Sequence, residues 1–467
     1  MIPYFPKQIS SRAIAVYLIS LTAVSFFYMN YAMGFGYMAL GCLWVIGFFS
    51  LLVYCCKQWG SVSEKQYVNY IFGGALALRV VWVIASYYFY NAVTGQPFEF
   101  QARDSLGYHA DAEWMAGEPW SSTWLYLFGN YIGVSDSGFP FYLSLVYRVF
   151  GPVIIIPRLI NALLSAWTCT LVYRMSSRTF DEKVARMAGV MMVFMPNLIM
   201  YCGYHLKETL MLFLAVACLE RADSVIRSKK LTFFGILIPS LLAASLFLFR
   251  TAMGAAAVFA FGSAILFSSA PAMKRSGKRM AMIGWGVFAL VVFAGGAIAS
   301  EVESMWEGRG ENLERKRAEQ TIRGNQWAQY ATATVMAPMI TVLPFATMVD
   351  VDEQYGQQAK SGGNFIRNFM GFFTFLAIYE ALRRKEWRNF VLIGAFVAGY
   401  LGVVALSGFS NSERFLLPGL PGLIMMWAYG VSVLRPKTYK LLTPWCFVVF
   451  AMEFAWAFFK LGSRGIL

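Results

Sequence analysis

Charge is scarce in this sequence. Asp, Glu, Lys and Arg make up 14% of its 467 residues, where an ordinary soluble domain carries about 25%. A conventional soluble fold is therefore excluded. Histidine is nearly missing, with only His109 and His205. The seven cysteines (Cys42, Cys55, Cys56, Cys169, Cys202, Cys218 and Cys446) lie within or at the ends of apolar runs. None has metal-ligand spacing, and no disulfide framework is implied. There is no Walker-type loop, no GxGxxG after a strand, no HExxH and no GxSxG, so nucleotide hydrolysis and the usual hydrolase chemistries have no support. No repeat of fixed period and no low-complexity tract occurs. The net charge of +14 is not arranged as a basic stripe interleaved with aromatics, so nucleic acid is not an expected partner. No small-residue cleavage site follows the first apolar run, which reads as a retained helix.

What fills the chain instead is apolar. Hydrophobic residues reach 58% and the mean hydropathy is +0.55. They fall in long runs, and a span needs roughly 20 mostly apolar residues to cross a ~30 Å hydrocarbon core. The runs predict an all-α polytopic membrane protein of about thirteen spans, near 12–30, 34–56, 67–90, 152–173, 184–202, 208–222, 231–249, 252–270, 280–299, 364–382, 389–408, 414–434 and 441–460. The 208–222 run is short for a crossing.

Short basic segments orient these spans. Residues 174–186, 271–279, 383–388 and 435–440 each carry an excess of Lys and Arg, which places them and the N-terminus in the cytoplasm. The long segments 91–138 and 301–362 then share the opposite face. The first has six acidic residues against one basic, the second nine against six. Connections above ~12–15 residues are usually functional or disordered, so two acidic ones on one face read as a built site. Parity makes 139–150 and 331–349 surface or re-entrant helices, the second broken by Pro338 and Pro344. Four regions follow: a helical pair (1–60), a module holding the first loop (61–300), the second loop (301–362) and C-terminal helices (363–467).

The first loop reads Gln101 to Gly117 with three carboxylates, Asp104, Asp111 and Glu113, and with Tyr108 and His109 between them. Asp104 sits at a helix start, where a carboxylate suits the dipole and equally serves as a plain cap. Held at a membrane surface, it also suits general-base work on a hydroxyl or amine. The stretch Tyr204-His205-Leu206-Lys207-Glu208 is wedged between apolar runs on the same face. Ionisable residues at that depth are functional or paired, and a local Lys207–Glu208 pair is the plainer account. Arg250 separates two apolar runs with no polar loop, and Arg414 starts a late helix beside Glu413. Either arginine suits a phosphate through its fork of donors, and Arg414 equally suits a pair with Glu413. Trp306 and Trp327 in the second loop suit sugar stacking or simple interfacial anchoring. Arg79 and Arg158 take no role in this reading, and Glu380, beside Arg383 and Lys385, reads as structural.

From residue 67 to 299 the order of these features resembles the module of membrane-embedded GT-C glycosyltransferases, which include protein O-mannosyltransferases and the lipid A aminoarabinose transferase. The resemblance rests on a helix ending near Tyr90 with Asp104 in the loop after it, and on Gly138-Phe139-Pro140…Phe150-Gly151…Arg158…Asn161. It continues through Tyr173-Arg174…Phe180, Pro196-Asn197…Tyr201…Lys207-Glu208 and the helix start Glu413-Arg414-Phe415-Leu416-Leu417-Pro418. It implies Asp104 as the catalytic base and Glu208 as a second acidic position, which binds a divalent metal in some relatives. Ser105, not a second acidic residue, follows Asp104, which weakens the case for metal. The leaving phosphate of a polyprenyl-phosphate-linked sugar would meet Arg250, Lys207 and Arg414, in that order of preference. Tyr108, His109, Asp111, Glu113 and His205 complete the expected substrate-binding set. The expected setting is a bacterial inner membrane, with the site on the periplasmic or outer face and membrane lipid as a partner. A polysaccharide polymerase or ligase using polyprenyl-diphosphate glycans is the nearest rival, and a lipid or glycolipid flippase is the rival from another class.

Overall fold

The computed structural model describes residues 4–128, 134–228, 232–267, 282, 284–286, 337–351, 354–407 and 412–462. These are helical, with no strand among them beyond one isolated bridge between Ala32 and Val349. The first half holds α1 (Lys7–Phe27), α2 (Phe35–Gln58), α3 (Glu64–Thr94), α4 (Arg103–Gly117), α5 (Trp120–Phe128) and α6 (Val134–Phe150). Next come α7 (Ile155–Thr179), α8 (Glu182–Phe194), α9 (Pro196–Met200), α10 (Glu208–Arg227), α11 (Phe233–Phe247) and α12 (Thr251–Phe267). The C-terminal part adds α13 (Ser361–Arg383), α14 (Trp387–Leu406), α15 (Leu420–Ser432) and α16 (Leu442–Gly462).

Among the described residues, eight helices are long and apolar enough to cross a membrane. They are α1, α2, α3, α7, α13, α14, and α15 and α16 with the short turns that precede them. The bent pair α8–α9, taken as one span, makes nine, against an expected count of about thirteen over the whole chain. The run at 184–202 is not one rod but α8 and α9, bent by 51° where Pro196 opens the second piece. Proline favours the first helical position and cannot continue the preceding ladder. Within the described residues the runs at 231–249 and 252–270 give helices of 15 and 17 residues. At 1.5 Å per residue these span roughly 23 and 26 Å. The helix from 208 carries Glu220, Arg221, Asp223 and Arg227 along its second half. The span at 280–299, the basic segment 271–279 and residues 301–336, with Trp306 and Trp327, lie almost wholly outside the described residues.

Local signals set the ends of the longest helix. Ser63 accepts from the backbone N–H of Gln66, whose side chain accepts in turn from the Ser63 N–H, and this capping box opens α3. Gly95, at φ +74°, closes it in the left-handed conformation that only glycine takes without strain. Helices α13 and α15 form the centre, buried along nearly their whole length. Around them, α1, α3 and α16 turn Phe26, Phe27, Val81, Tyr88, Phe447 and Phe458 outward, an apolar surface fitted to lipid. The N-terminal pair is part of this body. Helix α1 packs on α16, and α2 on α8 and α13.

Of the expected broken helix at 331–349, residues 331–336 lie outside the described residues; the rest is a single 3-10 turn, Ala337–Met339, followed by irregular chain to Val351. Residues 342–349 are buried. Non-helical backbone at membrane depth must find partners in the protein. Asn368 donates to the carbonyls of Val342 (2.6 Å) and Pro344 (2.9 Å), Arg367 to that of Ile340 (3.2 Å), and the Ala346 N–H donates to Glu453 (2.9 Å). The other expected surface segment, 139–150, belongs to α6. Its buried edge is Phe139, Leu143, Val146 and Tyr147.

Two glycines mark the tightest crossings. A Cβ on Gly430 would press into the carbonyl of Phe373, joining α15 to α13, while one on Gly394 meets nothing within 4 Å. Gly430→Ala is expected to destabilise by about 1–3 kcal/mol, the usual penalty of overpacking, and Gly394→Ala to be neutral. Thermal unfolding of the two purified variants checks this, and equal melting temperatures would refute it.

Candidate functional site

Helix ends carry the polar chemistry, and they gather it at two opposite ends of the bundle. One end collects the basic segments. There Arg178 pairs with Glu220 and Asp223, and Arg383, Arg384 and Arg435 all pair with Glu380, so Glu380 is indeed a structural anchor. A polar cavity of about 330 Å³ lies at this end, walled by Phe180, Lys183, Arg384, Glu386 and Tyr429. The other end brings together the starts of α4, α6 and α10, the α11–α12 junction and the short turn Glu413–Leu416. The candidate site is here.

Its centre is Glu208. The carboxylate is fully buried and accepts from Arg414 Nε at 2.5 Å and from Arg250 Nη2 at 3.3 Å. Arg414 then reaches outward and donates through Nη1 to Asp104 Oδ2. One guanidinium thus bridges the two acidic residues, which are 104 positions apart in sequence. Side-chain exposure rises along the chain of contacts, from 0% at Glu208 through 21% at Arg414 to 51% at Asp104. Arg250 is further committed. It donates to the Tyr400 hydroxyl at 2.8 Å and lies over the Phe415 ring at 4.3 Å.

Lys207 does not pair with its neighbour Glu208. It donates to Asp136 Oδ1 (2.5 Å) and to the carbonyl of Ser135 (3.1 Å) at the start of α6. Burial draws its ammonium below the usual lysine range, and Asp136 partly offsets this. Helix α6 is held at this distance by Gly138, whose N–H donates to the Leu248 carbonyl at 2.8 Å. An added Cβ would meet that oxygen at 2.8 Å. The same contact fixes the junction that carries Arg250. Glu413 does not pair with Arg414 either. It takes Lys360 Nζ (3.0 Å), the Tyr201 hydroxyl (2.8 Å) and the Asn197 amide (2.7 Å). Adjacent residues are thereby pinned into separate networks, which fixes where Arg414 points.

Other expected site residues are sorted by the faces of α4. Tyr108 stays with the cluster, its ring 6.0 Å from Lys207 Nζ and edge-on to Phe139. Asp111 lies two turns along, roughly 10 Å up the axis, hydrogen-bonded to Tyr126 of α5, with burial raising its carboxyl above the usual range. Glu113 is exposed, 4.0 Å from His109. Neither carboxylate meets Arg414. The two histidines meet each other through one hydroxyl: His109 Nδ1 lies 2.8 Å and His205 Nε2 3.1 Å from the Tyr147 oxygen. Sequence reasoning missed Asp136, Tyr400 and Tyr147. Asp136 was visible only as one acid in an acidic loop, and the others sit in apolar runs that give no signal.

Of the three cations expected to meet a phosphate, Arg250 and Lys207 are buried and paired, while Arg414 is the partly open one. The geometry speaks against a divalent metal at Asp104 and Glu208. A guanidinium already stands between the two carboxylates, with Lys207 and Arg250 flanking it, so the donor set does not suit a dication. No grouping of three His, Cys, Asp or Glu with metal-binding geometry occurs among the described residues.

Burial and the nearby Arg158 charge push His205 well below its usual value, and burial lowers His109 as well. The fold thus favours the neutral form of each, whereas the unfolded chain titrates near 6.5. Their contribution is therefore complete above about pH 6.5 and is lost as pH falls toward the depressed folded values. The melting temperature in detergent should drop from about pH 7.5 to about pH 5, and His205→Asn should flatten that drop. An unchanged slope in the variant would exclude His205 as its source. No family model matches this chain, and no curated protein resembles it closely enough in sequence to place it in a family.

Proposed function

We propose that the protein is a membrane glycosyltransferase that moves a sugar from a polyprenyl-phosphate donor to a hydroxyl or amine of a lipid, glycan or protein. The observation that carries this reading is Arg414 standing between a half-exposed Asp104 and a buried Glu208. An accessible carboxylate next to a partly open guanidinium is the pairing that such a transfer needs. Asp104 accepts the proton of the acceptor as its oxygen or nitrogen bonds to the anomeric carbon. The bond from that carbon to the phosphate oxygen breaks, the configuration inverts, and the departing phosphate keeps the electron pair. Arg414 stabilises that growing negative charge, a task that is mainly electrostatic. Glu208, with no exposure, does not reach the acceptor. Its role is to hold Arg414 and Arg250 in place.

The charge rule sets this site on the outer face, opposite the basic cytoplasmic segments. A bacterial inner membrane with a periplasmic site is the setting we propose. The donor's chain would lie along the lipid-facing helices, with its phosphate at the Arg414 end.

Asp104→Asn keeps the shape and removes the base. It should lower transfer by roughly 10²–10⁴-fold, the usual range for a general base, without lowering the melting temperature. Sugar transfer by the purified protein, supplied with a lipid extract as source of donor and acceptor, is the measurement. Full activity in the variant would sink the assigned base. Transport of a lipid without any transfer would move the protein to the flippase class. Arg414→Lys keeps charge but loses the bridge, and should reduce kcat more than it raises KM.

A further inference from the structure

Two arginines between residues 61 and 300 are fully buried, and they differ sharply in how they are satisfied. Arg79 of α3 donates to the Ser165 hydroxyl (2.7 Å) and to the carbonyls of Met192 (3.0 Å), Val193 (3.2 Å) and Ala75 (3.3 Å). It staples α3 to α7 and α8. Arg158, on the first turn of α7, is equally buried at 0% exposure. Yet none of its three nitrogens has a hydrogen-bond partner among the described residues. Its nearest carboxylate oxygen is Glu99 Oε2, 4.0 Å from Nη2. That carboxylate is already engaged. It accepts from the Ser105 hydroxyl and faces the His205 N–H at 3.5 Å.

A buried guanidinium has five N–H donors in a fixed fork, and leaving them unmade is costly. Protein side chains that merely fill space would favour an apolar residue here. The groups around it are aromatic and polar. Phe98 stands 5.8 Å from the guanidinium carbon, and Tyr87, Tyr90 and Tyr147 lie within its electrostatic reach. His109 and His205, joined through Tyr147, add further polar groups. Ser105, bound to Glu99, is the residue after Asp104.

We propose that Arg158 is a second oxyanion site, in which its fork holds a phosphate or carboxylate group of a ligand beside the first turn of α4. It is separate from the Arg414 bridge and uses different donors. The inference does not depend on sugar transfer, because binding alone reveals it.

The test is thermal unfolding of the full-length protein at fixed ionic strength, in chloride against rising inorganic phosphate or acetate. A parallel arm uses phosphatidylcholine nanodiscs with and without phosphatidate. A saturable rise in melting temperature is expected with at least one of these probes. Arg158→Leu should move its midpoint up by roughly tenfold or more, the worth of a lost charge-assisted bond. Arg158→Lys keeps charge without the fork, should shift the midpoint less, and serves if the leucine variant does not fold. Arg414→Gln should leave the midpoint in place. A response to the small anions assigns a free oxyanion, and one confined to phosphatidate assigns a lipid headgroup. No saturable rise with any probe, or the same midpoint in both Arg158 variants, overturns the proposal. So does loss of the response in Arg414→Gln alone.

Discussion

A carboxylate with no access to water governs how this molecule is put together at one end. Glu208 is charged and buried, and such a group persists only with cations and hydrogen bonds around it. Arg414 and Arg250 supply them. Breaking such a pair typically costs about 3–5 kcal/mol, so the helices carrying those arginines are not free to drift. Helix α10, the α11–α12 junction and the turn before α15 are thereby tied at one point. Arg414 has further donors to spend, and it spends one on Asp104. The position of the exposed acid therefore follows from the burial of the hidden one.

The surrounding networks keep this tie rigid by refusing local solutions. Lys207 and Glu208 are neighbours, as are Glu413 and Arg414, and each of the four takes its partner from a distant segment. Helix geometry accounts for this. Adjacent residues on a helix point about 100° apart and do not face each other. Asp136 and Lys360 take the outer members, leaving Glu208 and Arg414 to each other. The close approach of α6 through Gly138 brings Asp136 to Lys207 and fixes the Arg250 junction at once.

A similar economy appears where the chain is irregular. The stretch 340–351, buried from 342 to 349, has no helix of its own to satisfy its backbone groups. Arg367 and Asn368 of α13 and Glu453 of α16 do so instead. The polar residues scattered through apolar helices thus fall into two kinds. Some, such as Arg79 and Asn368, complete backbone that lacks partners. Others, Arg414 above all, remain partly open at the bundle's end.

The sequence by itself determined that the chain is helical and membrane-embedded, because run length and scarcity of charge act on each segment independently. The sequence reading put Asp104, Lys207, Glu208, Arg250 and Arg414 on one face, and the five lie together at one end of the described bundle. Among the described residues eight of the expected spans are long apolar helices; hydropathy does not register a bend at Pro196, a helix of 15 residues, or a run that ends in Glu220, Arg221 and Asp223. Partners were beyond its reach. Only the tertiary structure decided that Arg414 bridges Asp104 and Glu208, that Asp111 turns to Tyr126, and that Arg158 finds no hydrogen-bond acceptor among the described residues. Ion pairs and hydrogen bonds form within about 3–4 Å, and which side chains come that close depends on helix rotation and crossing. Those are set by packing among segments far apart in the chain, and no local pattern records them.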